Sequence, residues 1–337
     1  MDRVHVLATG GTIASTMTTE GTVPTESIHD LADTYGDVFD VIDWDVTVEQ
    51  CVQQPSSELE LDDLTTVARR VNDVAGDADA IVVLHGTDTL EETAYYLDLV
   101  AASDVPLVLT GSQRTPTEPS ADGPANLRGA LAAATHDAIR DGAYVFFNDR
   151  LHAARPVTKV HSTNPAAYDS GQYGLVAERT PDGLWFFRRP TSLSVSVTRY
   201  DLTASVDIVA TSTGTTGGII DDAVERSVDG LIVDGFGLGN VPNDVARAIE
   251  RAIDHGVPVA VTTRCRHGNT AGVYGSTGGG RTLRRAGAVL ASNLSASKAR
   301  LKLLATLADP GTDVERTFDP SRLDRHGFTP RSVRVNK

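Results

Sequence analysis

The sequence is poor in the residues that mark several protein classes. Only Cys51 and Cys265 are cysteines among 337 residues, and neither lies in a C-x-x-C pair. Two isolated thiols cannot build a disulfide framework, and both are expected to be buried or indifferent. No run of about 18 apolar residues occurs, so no membrane-spanning helix is expected. The first residues enter a strand pattern without a signal-like apolar stretch, which makes the cytoplasm the expected location. Lysine is nearly absent, with 4 residues against 26 arginines. Basic residues fall short of acidic ones by 30 to 45, a net charge of −15 carried mainly by 33 aspartates. Such a surface repels nucleic-acid phosphates and argues against DNA or RNA as a partner. An Asp-rich, Lys-poor surface suits a salt-rich, halophilic cytoplasm, where charges are strongly screened. Stability should then rise from dilute buffer to molar KCl, and indifference to salt would refute the reading.

Other motifs are missing too. None of the nine histidines forms H-E-x-x-H or an i, i+4 histidine pair with a carboxylate partner, so no metal is expected, and no other cofactor. There is no G-x-S-x-G elbow and no Walker-type G-K-[ST].

What is present is a chain with 40% hydrophobic residues, long enough for two packed domains. Strand and helix patterns alternate, as in a parallel sheet with crossover helices. Strands are expected at Val4–Ala8, Val46–Val52, Ala80–Leu84, Pro106–Thr110 and Tyr144–Asn148, and helices at Leu59–Val74, Leu90–Ala102 and Asn126–Asp141. The stretch "LVAERTPDGLWFFRR" reads as a hairpin turning at Pro181–Asp182–Gly183. The Ser/Thr-rich segment from Arg189 to about Val206 lacks helical periodicity and reads as a connection. Beyond it strands are expected at Asp207–Thr211, Leu231–Asp234 and Val257–Thr262, with helices near Asp221–Ser227, Val241–His255 and Ser295–Leu307. The final stretch from Asp309 is polar and reads as a loose surface wrap. The expected fold is thus α/β. A larger N-terminal domain (1–190) carries a mostly parallel sheet flanked by helices, and a linker (191–206) leads to a smaller C-terminal α/β domain (207–337).

Chemistry gathers at strand ends, where ligands of open α/β sheets bind. "ATGGTIAS" follows the first strand. It fits a plain turn, a phosphate loop lacking its usual lysine, or a site where Gly10 and Gly11 remove bulk so that Thr9 or Thr12 meets a substrate carbonyl. "LHGTDTLEETA" runs from a strand into a helix. Thr89 and Glu92 fit a capping box, which leaves Thr87 and Asp88 for other work. Asp88 reads either as a helix-start carboxylate or as an acid that holds a substrate ammonium. His85 reads as a packed residue at a strand end. "GFGLGNVP" approaches a dinucleotide fingerprint but has Asn240 where the third glycine belongs. Lys159 stands alone after a strand end, whereas Lys298 and Lys302 read as an exposed helix face. An ammonium can give up its proton where a guanidinium cannot, so a lone Lys in an Arg-rich chain is informative.

Together, "ATGGTIAS", "LHGTDTLEETA", "LTGSQRTPTEPSADGPANLRGA", "VFFNDRLHAARPVTKV", "GFGLGNVPND" and "SNLSASKARLKL" resemble the bacterial-type L-asparaginase family, in family order over about 300 residues. The "FNDRLHAARPVTK" and "GNVP" forms are similar to its cytoplasmic type I. The resemblance implies that Thr12 is the nucleophile and that Thr87, Asp88 and Lys159 form the second catalytic group. It implies a substrate site made by Gly11, Ser56, Ser57, Thr87, Asp88 and Ser112. There Ser56 takes the α-carboxylate and Asp88 the α-ammonium. Asn240 would reach a neighbouring subunit's site, in a homodimer or homotetramer. Two positions depart from the pattern. Thr22 stands where the family has a loop tyrosine, with Tyr35 or another group left to assist. Gly268–Arg281 lacks the family's glutamate, with Tyr274 a candidate contact across the interface.

The resemblance implies hydrolysis of L-asparagine, or L-glutamine, to the acid and ammonia through a threonine acyl-enzyme. Two alternatives stay open. One is the ammonia-producing subunit of a tRNA-dependent amidotransferase, from which an N-terminal module before the first strand would be expected. The other is a catalytically weak amino acid sensor on the same fold.

Overall fold

The computed structural model describes residues 2–11, 16–18, 21–23, 36–39, 42–101, 105–192, 194, 197, 199–309 and 311–319. The chain divides into two compact units: Met1–Ser192 with Tyr200–Leu202, and Leu193–Arg199 with Thr203–Lys337. Both are α/β, the first larger than the second, and no described helix is long and apolar enough to cross a membrane.

The first unit contains β1 (Arg3–Ala8), a small hairpin of β2 (Thr16–Thr18) and β3 (Gly21–Val23), a short helix α1 (Gly36–Phe39), β4 (Asp45–Gln50) and α2 (Leu61–Val74). It continues through β5 (Ala80–Leu84), α3 (Leu90–Val100), β6 (Leu107–Thr110), α4 (Gly123–Ala134), β7 (Ala143–Phe147) and β8 (Arg150–Ala153). A two-residue pair, β9 (Thr158–Lys159) and β10 (Tyr168–Asp169), precedes the hairpin β11 (Ala177–Thr180) and β12 (Gly183–Phe186). Eight strands form one sheet in the order β12-β11-β8-β7-β6-β5-β1-β4. The pairs from β4 to β7 are parallel, and those from β7 to β12 are antiparallel.

β5 reads AIVVL, with every residue buried. A strand covered on both faces shows this unbroken apolar run rather than alternation. α2 is amphipathic, burying Leu64, Val67, Ala68, Val71 and Val74 at helical spacing, and Glu60 and Asp63 cap each other's backbone amides. The chain leaves β1 for β4 on one side, then crosses back to β5 on the other. The switch point of the sheet therefore lies at the carboxyl end of β1, between the ends of β4 and β5.

The second unit is a four-stranded parallel sheet, β13 (Val206–Ala210), β14 (Gly230–Gly235), β15 (Val259–Thr263) and β16 (Val289–Leu290), adjacent in sequence order. Helices α5 (Gly218–Glu225), α6 (Asn243–Asp254), α7 (Gly280–Arg285), α8 (Ala296–Leu307) and α9 (Val314–Phe318) accompany it. α6 packs Val245, Ala246, Ala248, Ile249 and Ala252 into the same cluster as Val233 and Val261.

Three expectations need correction. α4 begins at Gly123 rather than Asn126, with Pro124 in its first turn, where its fixed φ suits a helix start; it ends at Ala134, short of Asp141. Lys298 and Lys302 are buried rather than exposed, with the Lys302 ammonium 4.9 Å from the Phe318 ring centroid. The Phe318 that covers it belongs to α9, so part of the expected loose wrap is helical and packed. Residues 320–337 of that stretch lie outside the described residues.

Candidate active site

Three loops meet at the switch point, and glycine lets them meet. Gly10 and Gly11 have φ of 95° and 92°, values that disfavour any side chain. A Cβ on Gly10 would lie 2.6 Å from Gln54 O, in the loop after β4. One on Gly11 would lie 2.4 Å from Gly86 Cα, in the loop after β5. A Cβ on Gly86 would in turn lie 2.6 Å from Ser56 Oγ. The paired glycines are therefore a close-packing device between backbones, more than a gap for substrate. Thr9 is structural: its buried hydroxyl donates to Leu84 O at 3.2 Å.

On this floor stands a polar cluster. The Lys159 ammonium donates to Thr87 Oγ1 at 2.8 Å and to Asp88 Oδ1 at 2.7 Å. Thr87 is buried, the Lys159 side chain is 16% exposed and that of Asp88 63% exposed. A protected hydroxyl thus leans on an ammonium, while a carboxylate faces the open side. Ser56 is buried, and its Oγ accepts from the Asp88 backbone N–H at 3.2 Å. Ser57, the next residue, is exposed.

The supporting contacts come from residues given no such part by the sequence. Thr89 Oγ1 donates to Ser56 O at 2.8 Å instead of capping α3, which corrects the capping-box expectation. A carbonyl brought in from the β4 loop outcompetes the local amides. The Glu91 carboxylate accepts from the backbone N–H of Lys159, fixing β9 against α3. The Tyr168 hydroxyl donates to Thr87 O at 2.6 Å. No local pattern marks Tyr168; Glu91 is visible only as an acid in a first helical turn. Burial lowers His85 to about 4, so its ring is neutral near pH 7. Its Nδ1 lies 2.7 Å from Gly86 O, which can only accept, and its Nε2 lies 2.8 Å from Thr93 Oγ1. Nδ1 therefore carries the proton. His85 braces the Gly86 turn as a packed residue.

The remaining expected residues sit differently. Thr12 and Tyr35 lie outside the described residues. Thr22 falls in β3, paired with Met17. Ser112 is buried, and its Oγ donates to Arg114 O at 2.8 Å, within its own loop. Asn240 belongs to the second unit, where its Oδ1 accepts from Gly280 N at 3.3 Å, at the start of α7. Tyr274 is 54% exposed. Among the described residues no group of three His, Cys, Asp or Glu side chains is placed to hold a metal ion.

A Thr–Lys–Asp cluster thus stands at the switch point of a mixed α/β sheet, in a chain that also carries a second α/β unit. Comparison with known proteins gives the family. Residues 3–192 match the family model for the asparaginase N-terminal domain, and residues 205–317 match that for the glutaminase/asparaginase C-terminal domain. A protein named L-asparaginase from Bacillus licheniformis is 34% identical over 321 residues, covering 94% of this chain and 98% of its own. A probable L-asparaginase from Deinococcus radiodurans is 37% identical over 330 residues, covering 94% and 97%. A glutamyl-tRNA(Gln) amidotransferase subunit from Pyrococcus abyssi is 29% identical over 322 residues, covering 91% and 72%. The chain belongs to the asparaginase family.

Proposed function

We propose that this protein is an L-asparaginase, hydrolysing the side-chain amide of L-asparagine to L-aspartate and ammonia. The observation that carries the reading is the Lys159 ammonium held at once on Thr87 Oγ1 and Asp88 Oδ1, beside a floor where Gly11 lies against Gly86. Thr12, one residue beyond Gly11, is the nucleophile. Its oxygen attacks the amide carbon while its proton passes to the relay, and the collapsing adduct expels the amide nitrogen, which takes up that proton and leaves as ammonia. Water, activated by the Thr87 hydroxyl, then cleaves the aspartyl ester and restores Thr12. Dividing the reaction this way replaces one high barrier with two lower ones. Lys159 and Asp88 hold Thr87 for the proton transfers. Asp88 also faces the substrate α-ammonium with its exposed carboxylate, and Ser56 takes the α-carboxylate. Ser57, Gly11 and Ser112 border the same amino acid, and Asn240 serves a partner's site in a homodimer or homotetramer. We also read the protein as a cytoplasmic, type I-like enzyme adapted to high salt.

The test is ammonia release from asparagine and from glutamine by the purified protein, with Thr12→Ala beside it. Activity on asparagine that Thr12→Ala abolishes is the expected result; full turnover by that variant would remove Thr12 from the mechanism. The amidotransferase reading is the weaker one. Relatives named as amidotransferase components are 27% and 29% identical, against 31% to 37% for those named L-asparaginase. A protein that binds asparagine but releases no ammonia would instead be the sensor.

A further inference from the structure

We propose that Tyr168 is a positioning residue for the amide-hydrolysing cluster, holding the Thr87–Asp88 peptide and the strand that carries Lys159 in one fixed arrangement. The inference rests on the asparaginase reading above and extends it to a residue for which the resemblance implied no part. The peptide between Thr87 and Asp88 carries both side chains that Lys159 touches. Its carbonyl accepts from the Tyr168 hydroxyl at 2.6 Å, and its N–H donates to Ser56 Oγ at 3.2 Å. The peptide plane is thus held at both edges by side chains from separate segments, Tyr168 of β10 and Ser56 after β4. A plane held on one edge alone can rock, and rocking would swing Thr87 Oγ1 and Asp88 Oδ1 relative to the ammonium.

The same tyrosine reaches Lys159 by a second route. In the antiparallel pair β9–β10, Tyr168 stands directly opposite Lys159. Its ring is buried against Phe147, with centroids 4.9 Å apart and planes inclined by 55°. Phe147 ends β7, a central strand of the sheet, so the two-residue strand is anchored to the rigid core by this ring. Val160 N donates to Ala167 O, which closes the short ladder beside the pair. A phenylalanine would supply the packing but not the hydroxyl contact. Burial, with the Glu91 and Asp88 carboxylates nearby, keeps the phenol protonated, so it remains a donor across the working pH range. Thr87 and Asp88 lie 72 and 71 residues from Lys159 along the chain, and Tyr168 is linked to both ends of that span.

The experiment compares wild type, Tyr168→Phe and Phe147→Leu in steady-state ammonia release from asparagine, with thermal midpoints measured on the same samples. Tyr168→Phe is expected to lower kcat about three- to tenfold, the effect of one lost hydrogen bond, with a smaller change in KM and little change in midpoint. Phe147→Leu weakens the ring's anchor and leaves the hydroxyl contact in place, so it should lower the midpoint with a smaller fall in kcat than Tyr168→Phe at temperatures where the protein stays folded. Wild-type kcat in Tyr168→Phe would overturn the inference while leaving the asparaginase reading intact. A loss in Tyr168→Phe that merely tracks its midpoint, and is matched by Phe147→Leu, would reduce Tyr168 to a packing residue and overturn it equally. A wild-type protein that releases no ammonia removes the asparaginase reading and the inference with it.

Discussion

Replacing Gly11 by alanine puts one carbon where two backbones already touch. The added Cβ would lie 2.4 Å from Gly86 Cα and 2.5 Å from Gly86 N, where ordinary contact begins at 3.4 Å. Neither partner is a side chain that can rotate away, so the β1 and β5 loops must part by about 1 Å, the shortfall from ordinary contact. The backbone also resists: φ at Gly11 is 92°, and a side chain in such a region costs about 1–3 kcal/mol. Overpacking of a tight site adds about 1–3 kcal/mol. Together they destabilise the first unit by about 2–6 kcal/mol, a fall in midpoint of about 5–20 °C for a domain of this size. Thr87 follows Gly86 directly, so a displacement near 1 Å should also cut kcat by about 100-fold. Calorimetry and ammonia release on one preparation read both effects. Gly76→Ala is the control, because nothing lies within 4 Å of its added Cβ and its φ is outside the left-handed region. It should be neutral or stabilising by under about 1 kcal/mol. A Gly11→Ala protein with wild-type midpoint and kcat would refute the close-packing account of the paired glycines.

Lys159→Met keeps the stem and removes the ammonium; kcat should fall about 100- to 10,000-fold, with the midpoint within a few degrees of wild type. A variant losing under about threefold in ammonia release would place Lys159 outside the chemistry. A second prediction concerns pH. His85 is pushed from 6.5 to about 4 by burial, so the unfolded chain binds more protons between those values. Its contribution is complete above about pH 6.5 and is lost as pH falls toward 4, by about 3 kcal/mol at most. His152, lowered from 6.5 to about 3 by burial, acts in the same direction over the same range and on down to about pH 3. Denaturant unfolding at pH 7 and pH 5 should show this loss in wild type and a flatter dependence in His85→Gln. Equal slopes would mean that His85 titrates alike in both states.

Where the chain itself supplies the cause, the structure was legible from sequence. β5 follows directly from an apolar, β-branched run, Ala80–Leu84. The hairpin of β11 and β12 follows from Pro181, Asp182 and Gly183, and β1 from the alternation before Gly10. Element ends shifted by a few residues because helix termini answer to local caps. β8, β9 and β10 escaped notice because two to four residues carry too little pattern to separate a strand from a loop.

Errors gathered where a distant group overrode a local one. The Thr89 hydroxyl had a local use in a capping box, but Ser56 O, 33 residues away, takes it. Lys298 and Lys302 have the charge of an exposed face, yet they are buried, and Phe318 of α9 covers Lys302. Apolar spacing, turn residues and charge determined the α/β class, the strand ends where candidate residues gather and the candidates Thr87, Asp88 and Lys159, and the motif resemblance added Ser56. Only tertiary structure decided that these side chains meet, that Gly11 and Gly86 share a backbone contact, and that Tyr168 spans the cluster. The reason is range: periodicity encodes which face of an element is apolar, whereas strand order and register choose which loops become neighbours.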